Sequence, residues 1–186
     1  MLEREYGCRA ALQHPPHVTL HPPFVPREPI EGLIQDLALA ASAIQKGEVS
    51  LGEVDAFIDE RGSPSQVILR IEGRWCRHAH HVLLERLAVH CRDQDEELQS
   101  AWPTEHRGDG FVAHTSLAIG DLPSDLSIRS SICGRARRLF NSLVALLEAP
   151  HAFTAEALHL IAYSRGARAS RYTEPPRTLA VLPLRA

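Results

Sequence analysis

The sequence predicts an α+β fold with a largely antiparallel sheet. Three observations predict it. Apolar residues recur at three- and four-residue steps in several long segments, as amphipathic helices require. Runs rich in Val, Ile and Thr, bounded by Gly and Pro, read as strands between them. The resulting order is strand, helix, strand, strand, helix, strand, helix, strand, strand, which is not the regular alternation of a parallel sheet. At 186 residues the default is one compact domain over 1–186, with room for two lobes.

Leu2 to Gly7 reads as the last turns of a helix, with Gly7 as its stop. A strand carrying His17-Val18-Thr19-Leu20 follows, ending at His21-Pro22-Pro23-Phe24. Pro29 to Lys46 is helical, with Ile30, Leu33, Ile34, Leu37, Ala41 and Ile44 on one face and Gly47 as terminator. Glu48 to Glu60 and Gln66 to Glu72 are strands joined by the turn Arg61-Gly62-Ser63-Pro64. Trp75 to about Ala101 is a helix with Val82, Leu83, Leu87 and Val89 on its apolar side. Phe111 to Gly120 is a strand, Ile128 to Leu147 a helix that ends before Pro150, and Phe153 to Ser164 and Thr178 to Leu184 close the order as two strands.

Composition narrows the function. A net charge of −3 argues against a broad footprint on long duplex nucleic acid, although a small phosphorylated ligand or an RNA end needs only a local positive pocket. No apolar run approaches the roughly 18 residues of a membrane span, and Glu3, Arg4 and Glu5 interrupt any early apolar run that a signal peptide would need. Cys8, Cys76, Cys91 and Cys133 are scattered without Cys-x-x-Cys spacing, which fits free thiols in a reducing cytoplasm.

Two short motifs carry the chemistry. His17-Val18-Thr19-Leu20 and His114-Thr115-Ser116-Leu117 both read histidine, any residue, hydroxyl residue, apolar residue, 97 positions apart. On an extended strand, residues i and i+2 share a face, so each motif presents an imidazole beside a hydroxyl. With 11 histidines in the chain, chance alone supplies roughly one His-x-Ser/Thr match, and about half that with an apolar fourth residue, so the motif gains weight from its pairing and from the turn residues that follow each copy. Their similar placement in the two half-chains suggests an internal duplication. Imidazole titrates near neutrality, so one ring can act as base while the other acts as acid. The hydroxyls of Thr19 and Ser116 are suited to donate to phosphoryl oxygens. Two such pairs facing one another make a site for acid–base chemistry on a phosphate, with no cofactor and no metal in the scheme.

These residues resemble the 2H phosphoesterase superfamily, especially its 2′-5′ RNA ligase-like members. That family carries two His-x-Thr/Ser-x motifs, one per lobe, the first often followed by Pro-Phe, as at Pro23-Phe24 here. The likeness spans about Tyr6 to Leu184, specific at the motifs and loose between them. It implies two pseudo-symmetric lobes around a cleft and an enzyme acting on 2′,3′-cyclic phosphates or 2′-5′ bonds of RNA ends or small nucleotides. His17 and His114 would be the acid–base pair. The family's usual first strand and full first helix have no room ahead of His17, so the chain is expected to begin late, with a smaller first sheet.

Further pocket candidates are His21, which follows Thr19 by two residues, Phe24, Tyr163 and Arg165. Pro22-Pro23-Phe24 is expected to shape a turn and pack an aromatic ring beneath the motif. Tyr163 and Tyr172, with Arg165, Arg168 and Arg171, suit stacking on a base and contacting a phosphate, against the plainer alternative of a solvated loop. A monomer is expected. Two rival readings stand beside the first. One is a non-catalytic RNA-end or nucleotide-binding module on the same fold. The other is a zinc site, drawn from His14, His17 and His21 or from Cys76, His78, His80, His81, His90 and Cys91 on one helix. Pro22-Pro23 and the strand-like Val18-Thr19 oppose the first zinc set, and the second lacks clustered acidic partners.

Overall fold

The computed structural model describes residues 2–9, 11, 16–26, 29–91, 108–119, 121–147, 152–162 and 176–186. The fold is α+β and bilobal. Among the described residues, four α-helices occupy Leu2–Tyr6 (α1), Ile30–Ala43 (α2), Arg74–Leu87 (α3) and Leu126–Leu147 (α4). The strands among these residues are Gly47–Ile58 (β1), Pro64–Glu72 (β2), His114–Ile119 (β3), Ala152–Ala155 (β4), Ala157–Ala162 (β5) and Arg177–Pro183 (β6). The larger sheet has the order β3-β2-β1-β4 and the smaller one pairs β5 with β6, with every pairing antiparallel.

Local chemistry explains the boundaries. Gly7, at φ +74°, ends α1, and its N–H donates back to the Glu3 carbonyl at 2.8 Å. The β1–β2 turn is built by Asp59. Its Oδ1 accepts from the backbone N–H groups of Arg61 and Ser63, both at 3.0 Å, while Gly62 takes φ +75°. Asp125 caps α4. Its Oδ1 accepts from Ser127 N at 2.8 Å and Ile128 N at 3.3 Å, which is why that helix begins at Leu126 and not at Ile128.

Two cores define the lobes. One lies between the larger sheet and α4 and contains Val54, Val67, Leu69, Ala118, Ile132 and Ala136, with Cys8 from the segment after α1. The other lies among α2, α3 and the smaller sheet, through Leu33, Leu37, Ala40, Leu83, Leu87, Leu158 and Leu184. A third cluster, Val49, Ile71, Cys76 and Phe111, joins the end of the larger sheet to α3. Trp75 packs against both this cluster and the second core. It lies so close over Gly47 that a Cβ there would be 1.9 Å from its ring. Its Nε1–H donates to the Gln45 carbonyl at 2.7 Å.

Three sequence expectations are corrected. The expected helix from Trp75 to Ala101 stops at Leu87 and passes into a 3-10 turn over Ala88–His90, after which 92–101 lie outside the described residues. The reason is tertiary: the His90 ring is drawn to Asp36 of α2, with Nε2 2.7 Å from the carboxylate. The closing strand expected from Phe153 to Ser164 is two strands in different sheets, broken at Glu156. The Glu156 carbonyl accepts instead from Leu184 N at 2.9 Å, where the chain crosses from one lobe to the other. Finally, residues 17–20 belong to neither sheet. The prolines at 16, 22, 23 and 26 lack the N–H that a strand ladder needs on either flank.

Candidate active site

β3 places the second motif. His114 pairs with Arg70 and Ser116 with Ile68, so these side chains share one face of the sheet, with Gln66 at the next alternate position of β2. β1 adds Asp55 and Phe57, which pair with Ile68 and Gln66. The alternate residues Val54, Val67 and Leu69 face α4. The candidate site thus lies on the sheet face away from α4, and alternation along β1 and β2 puts it there.

His114 is 9% exposed and held on three sides. Its Nδ1 is 2.8 Å from the Val112 carbonyl. A carbonyl only accepts, so Nδ1 carries the hydrogen, and Nε2 is the lone-pair nitrogen of the neutral ring. Phe57 stands edge-on to the ring, with centroids 5.0 Å apart. Gln66 Nε2 donates to Ser116 Oγ at 2.7 Å and lies 3.5 Å from His114 Nε2. An oxygen that accepts from an amide is left to donate its own proton elsewhere. Imidazole and hydroxyl therefore sit side by side, oriented by one amide. Next to His114 across the strands, Arg70 Nε donates to Asp55 Oδ2 at 2.7 Å. Burial pulls the Asp55 carboxyl up, but the Ala56 N–H, Arg70 and Arg137 together outweigh it and hold that carboxyl below the ordinary range.

The first motif is placed by its apolar residues. Val18 and Leu20 both pack against the cluster formed by Val49, Ile71, Cys76 and Phe111, as does Ala113, next to His114. Two residues spaced i and i+2 on one apolar cluster behave as an extended chain does, and His17 and Thr19 alternate with them. Both are half-buried. The structure thus seats the residues flanking both histidines on one shared cluster. His21 turns its Nδ1 to the Pro22 carbonyl at 2.7 Å and meets Phe24 edge-on, with centroids 5.0 Å apart. Phe24 packs against the core of α2 and α3. Tyr163 and Arg165 lie outside the described residues, as do His14, Arg168, Arg171 and Tyr172.

The histidine-rich face of α3 has another use. His80 is 1% exposed, with Nδ1 2.6 Å from the Leu20 carbonyl and Nε2 accepting from Gly108 N–H at 3.0 Å. Both nitrogens are committed, leaving no lone pair for a metal. Among the described residues, no three His, Cys, Asp or Glu side chains group as a metal site. Burial pushes the neighbouring Cys76 thiol up to about 11, so it is a poor thiolate ligand.

Gln66, Phe57 and Arg70 were not among the residues singled out from the sequence. A faint signal exists: Gln66 and Arg70 are polar at alternate positions of a strand whose other face is Val67, Leu69 and Ile71. Only the cross-strand register connects that face with His114.

Among the described residues, no helix is long and apolar enough to cross a membrane. No curated protein matches the chain significantly. A family model described as the 2′-5′ RNA ligase superfamily matches residues 2–167, a span that contains both motifs. That match covers most of the chain and agrees with the resemblance carried by the two histidine motifs: this protein belongs to the 2′-5′ RNA ligase superfamily of 2H phosphoesterases.

Proposed function

We propose that the protein is a metal-independent cyclic phosphodiesterase, of the 2′-5′ RNA ligase-like kind, in which His17 and His114 form the acid–base pair. Thr19 and Ser116 hold the phosphate. The substrates are 2′,3′-cyclic phosphates or 2′-5′ phosphodiesters of RNA ends or small nucleotides. The observation that carries this reading is the second motif: an imidazole fixed in one tautomer by the Val112 carbonyl, beside a hydroxyl that accepts from Gln66 and keeps its own proton to donate. The family match and the common seating of both motif segments support it.

In hydrolysis, one neutral imidazole takes a proton from water as the water oxygen attacks phosphorus. The bond from phosphorus to one ribose oxygen breaks, and the opposite imidazolium gives that oxygen its proton. The hydroxyls of Thr19 and Ser116 donate to the non-bridging oxygens, where negative charge accumulates. With a ribose hydroxyl in place of water the same groups perform ligation. The reading treats 1–186 as one domain working as a cytoplasmic monomer.

The test is turnover of 2′,3′-cyclic nucleotides in excess EDTA by wild type, His17→Ala and His114→Ala. Wild-type turnover is expected, with each variant slower by about 10²–10⁴-fold. Unchanged activity in both variants would overturn the mechanism. Binding of cyclic nucleotide with no wild-type turnover would make the protein a binding module instead.

A further inference from the structure

We infer that His80, on α3 and outside both motifs, is the positioning residue that holds the two motif-bearing segments in one frame. Its ring spans them. Nδ1–H donates to the Leu20 carbonyl, at the end of the first motif, at 2.6 Å. Nε2 accepts from the N–H of Gly108 at 3.0 Å, in the short turn Gly108–Gly110 that leads into the second motif. The ring face stacks on Phe111 at 4.1 Å and 8°, three residues before His114. Phe111 and Leu20 also meet on one apolar cluster, so the polar bridge and the apolar contact hold the same two segments.

The geometry matters because residues 17–20 have no strand ladder to hold them. A segment outside both sheets needs another source of registration, and a side chain that donates to one segment while accepting from the other supplies it. Imidazole is suited to this role, since its neutral form has one donor and one acceptor on opposite sides of a rigid ring. The arrangement requires the Nδ1–H tautomer. Gly108 N–H is a donor, so a second proton at Nε2 would break that half of the bridge.

This inference rests on the proposed phosphodiesterase reading, and the experiment separates the two. His80→Phe keeps an aromatic ring against Phe111 and removes both hydrogen bonds. His80→Gln keeps an amide with one donor and one acceptor. Turnover of a 2′,3′-cyclic nucleotide and backbone hydrogen exchange are measured on the full chain for each. For His80→Phe, kcat should fall about 100-fold, the cost of a small displacement of reacting groups, while His80→Gln recovers most of that loss. Exchange should quicken in His80→Phe at Val18, Thr19 and Leu20 and at Gly108 to Phe111, while amides of α2 stay protected.

Exchange needs no substrate, so it decides the inference even if wild type proves inactive on cyclic nucleotides. Should His80→Phe fail to fold, His80→Asn serves in its place; it keeps a donor near Leu20 and loses the reach to Gly108, so exchange should quicken at 108–111 alone. Wild-type exchange at both segments in a folded His80→Phe would overturn the inference. So would equal loss of turnover in His80→Gln and His80→Phe.

Discussion

Replacing Gln66 by Leu leaves an apolar side chain one atom shorter and removes the amide that orients Ser116. The hydrogen bond from Gln66 Nε2 to Ser116 Oγ is 2.7 Å long, joins two neutral groups and is partly buried. A bond of that kind contributes about 0.5–1.5 kcal/mol net. If the hydroxyl donates to phosphate in the transition state, and the amide serves only to aim it, the loss appears as about two- to thirteenfold in kcat/KM. Removing the hydroxyl itself deletes a hydrogen bond to a charged group, worth about 1.5–3 kcal/mol, or roughly 13- to 160-fold. The two effects share one atom, so they do not add. In a Ser116→Ala background, Gln66→Leu should cost less than about twofold, that remainder reporting the 3.5 Å contact between Gln66 and His114. The assay is initial-rate hydrolysis of a 2′,3′-cyclic nucleotide by the four proteins of the cycle, with thermal unfolding to show that all are folded. An equal cost of Gln66→Leu in both backgrounds would refute the reasoning, since the amide would then act without Ser116.

Other outcomes follow from packing and charge. Ile132 is fully buried between α4 and the larger sheet, and Ile132→Ala should lower stability by about 2–5 kcal/mol in urea titrations. Gly47→Ala should cost about 1–3 kcal/mol through collision with the Trp75 ring, and Gly47→Ala combined with Trp75→Leu should lose much of that steric penalty. Burial chiefly lowers the His80 pKa from its ordinary value, against the pull of the Leu20 carbonyl, with the neighbouring His81 lowering it further. The unfolded chain therefore binds the proton more readily. Stability from this group is fully present above about pH 6.5 and falls as pH drops below it. The midpoint of thermal unfolding should decline more between pH 7 and 5 in wild type than in His80→Gln, and parallel declines would contradict that assignment. The Asp55 carboxyl, held low chiefly by the Ala56 N–H and Arg70 against the opposing effect of burial, contributes above about pH 4 and is lost as pH falls through its depressed value. Asp55→Asn should flatten the acid limb of a stability profile, by less than about 1 kcal/mol since the pair is partly exposed.

Much of this molecule is legible without coordinates, and the legible parts share a cause. α2 follows from the spacing of Leu33, Leu37 and Ala41, the β1–β2 turn from Asp59 and Gly62, and the stop of α1 from Gly7. In each case the deciding interaction lies within a few residues along the chain. The family could be read from two four-residue motifs, because acid–base chemistry on a phosphate restricts residue type and spacing more tightly than a core does.

The departures from expectation are long-range. The bond between His90 and Asp36 spans 54 positions, where α3 gives way to a 3-10 turn, and the bond from Leu184 to Glu156 splits one apolar run between two sheets. Residues 17–20 look like a strand because Val18 and Thr19 favour extended backbone. Whether they enter a sheet depends on a neighbouring edge, and proline flanks deny them the ladder. Gln66 comes to Ser116, and Arg70 to Asp55, through the register of antiparallel pairs, which no local pattern encodes. The sequence alone determined which residues carry groups suited to the proposed reaction, since functional groups belong to residue types. The tertiary structure decided what orients them: His80 on α3, which the sequence offers only to a rival zinc reading, lies 60 positions from Leu20 and 28 from Gly108, and joins both.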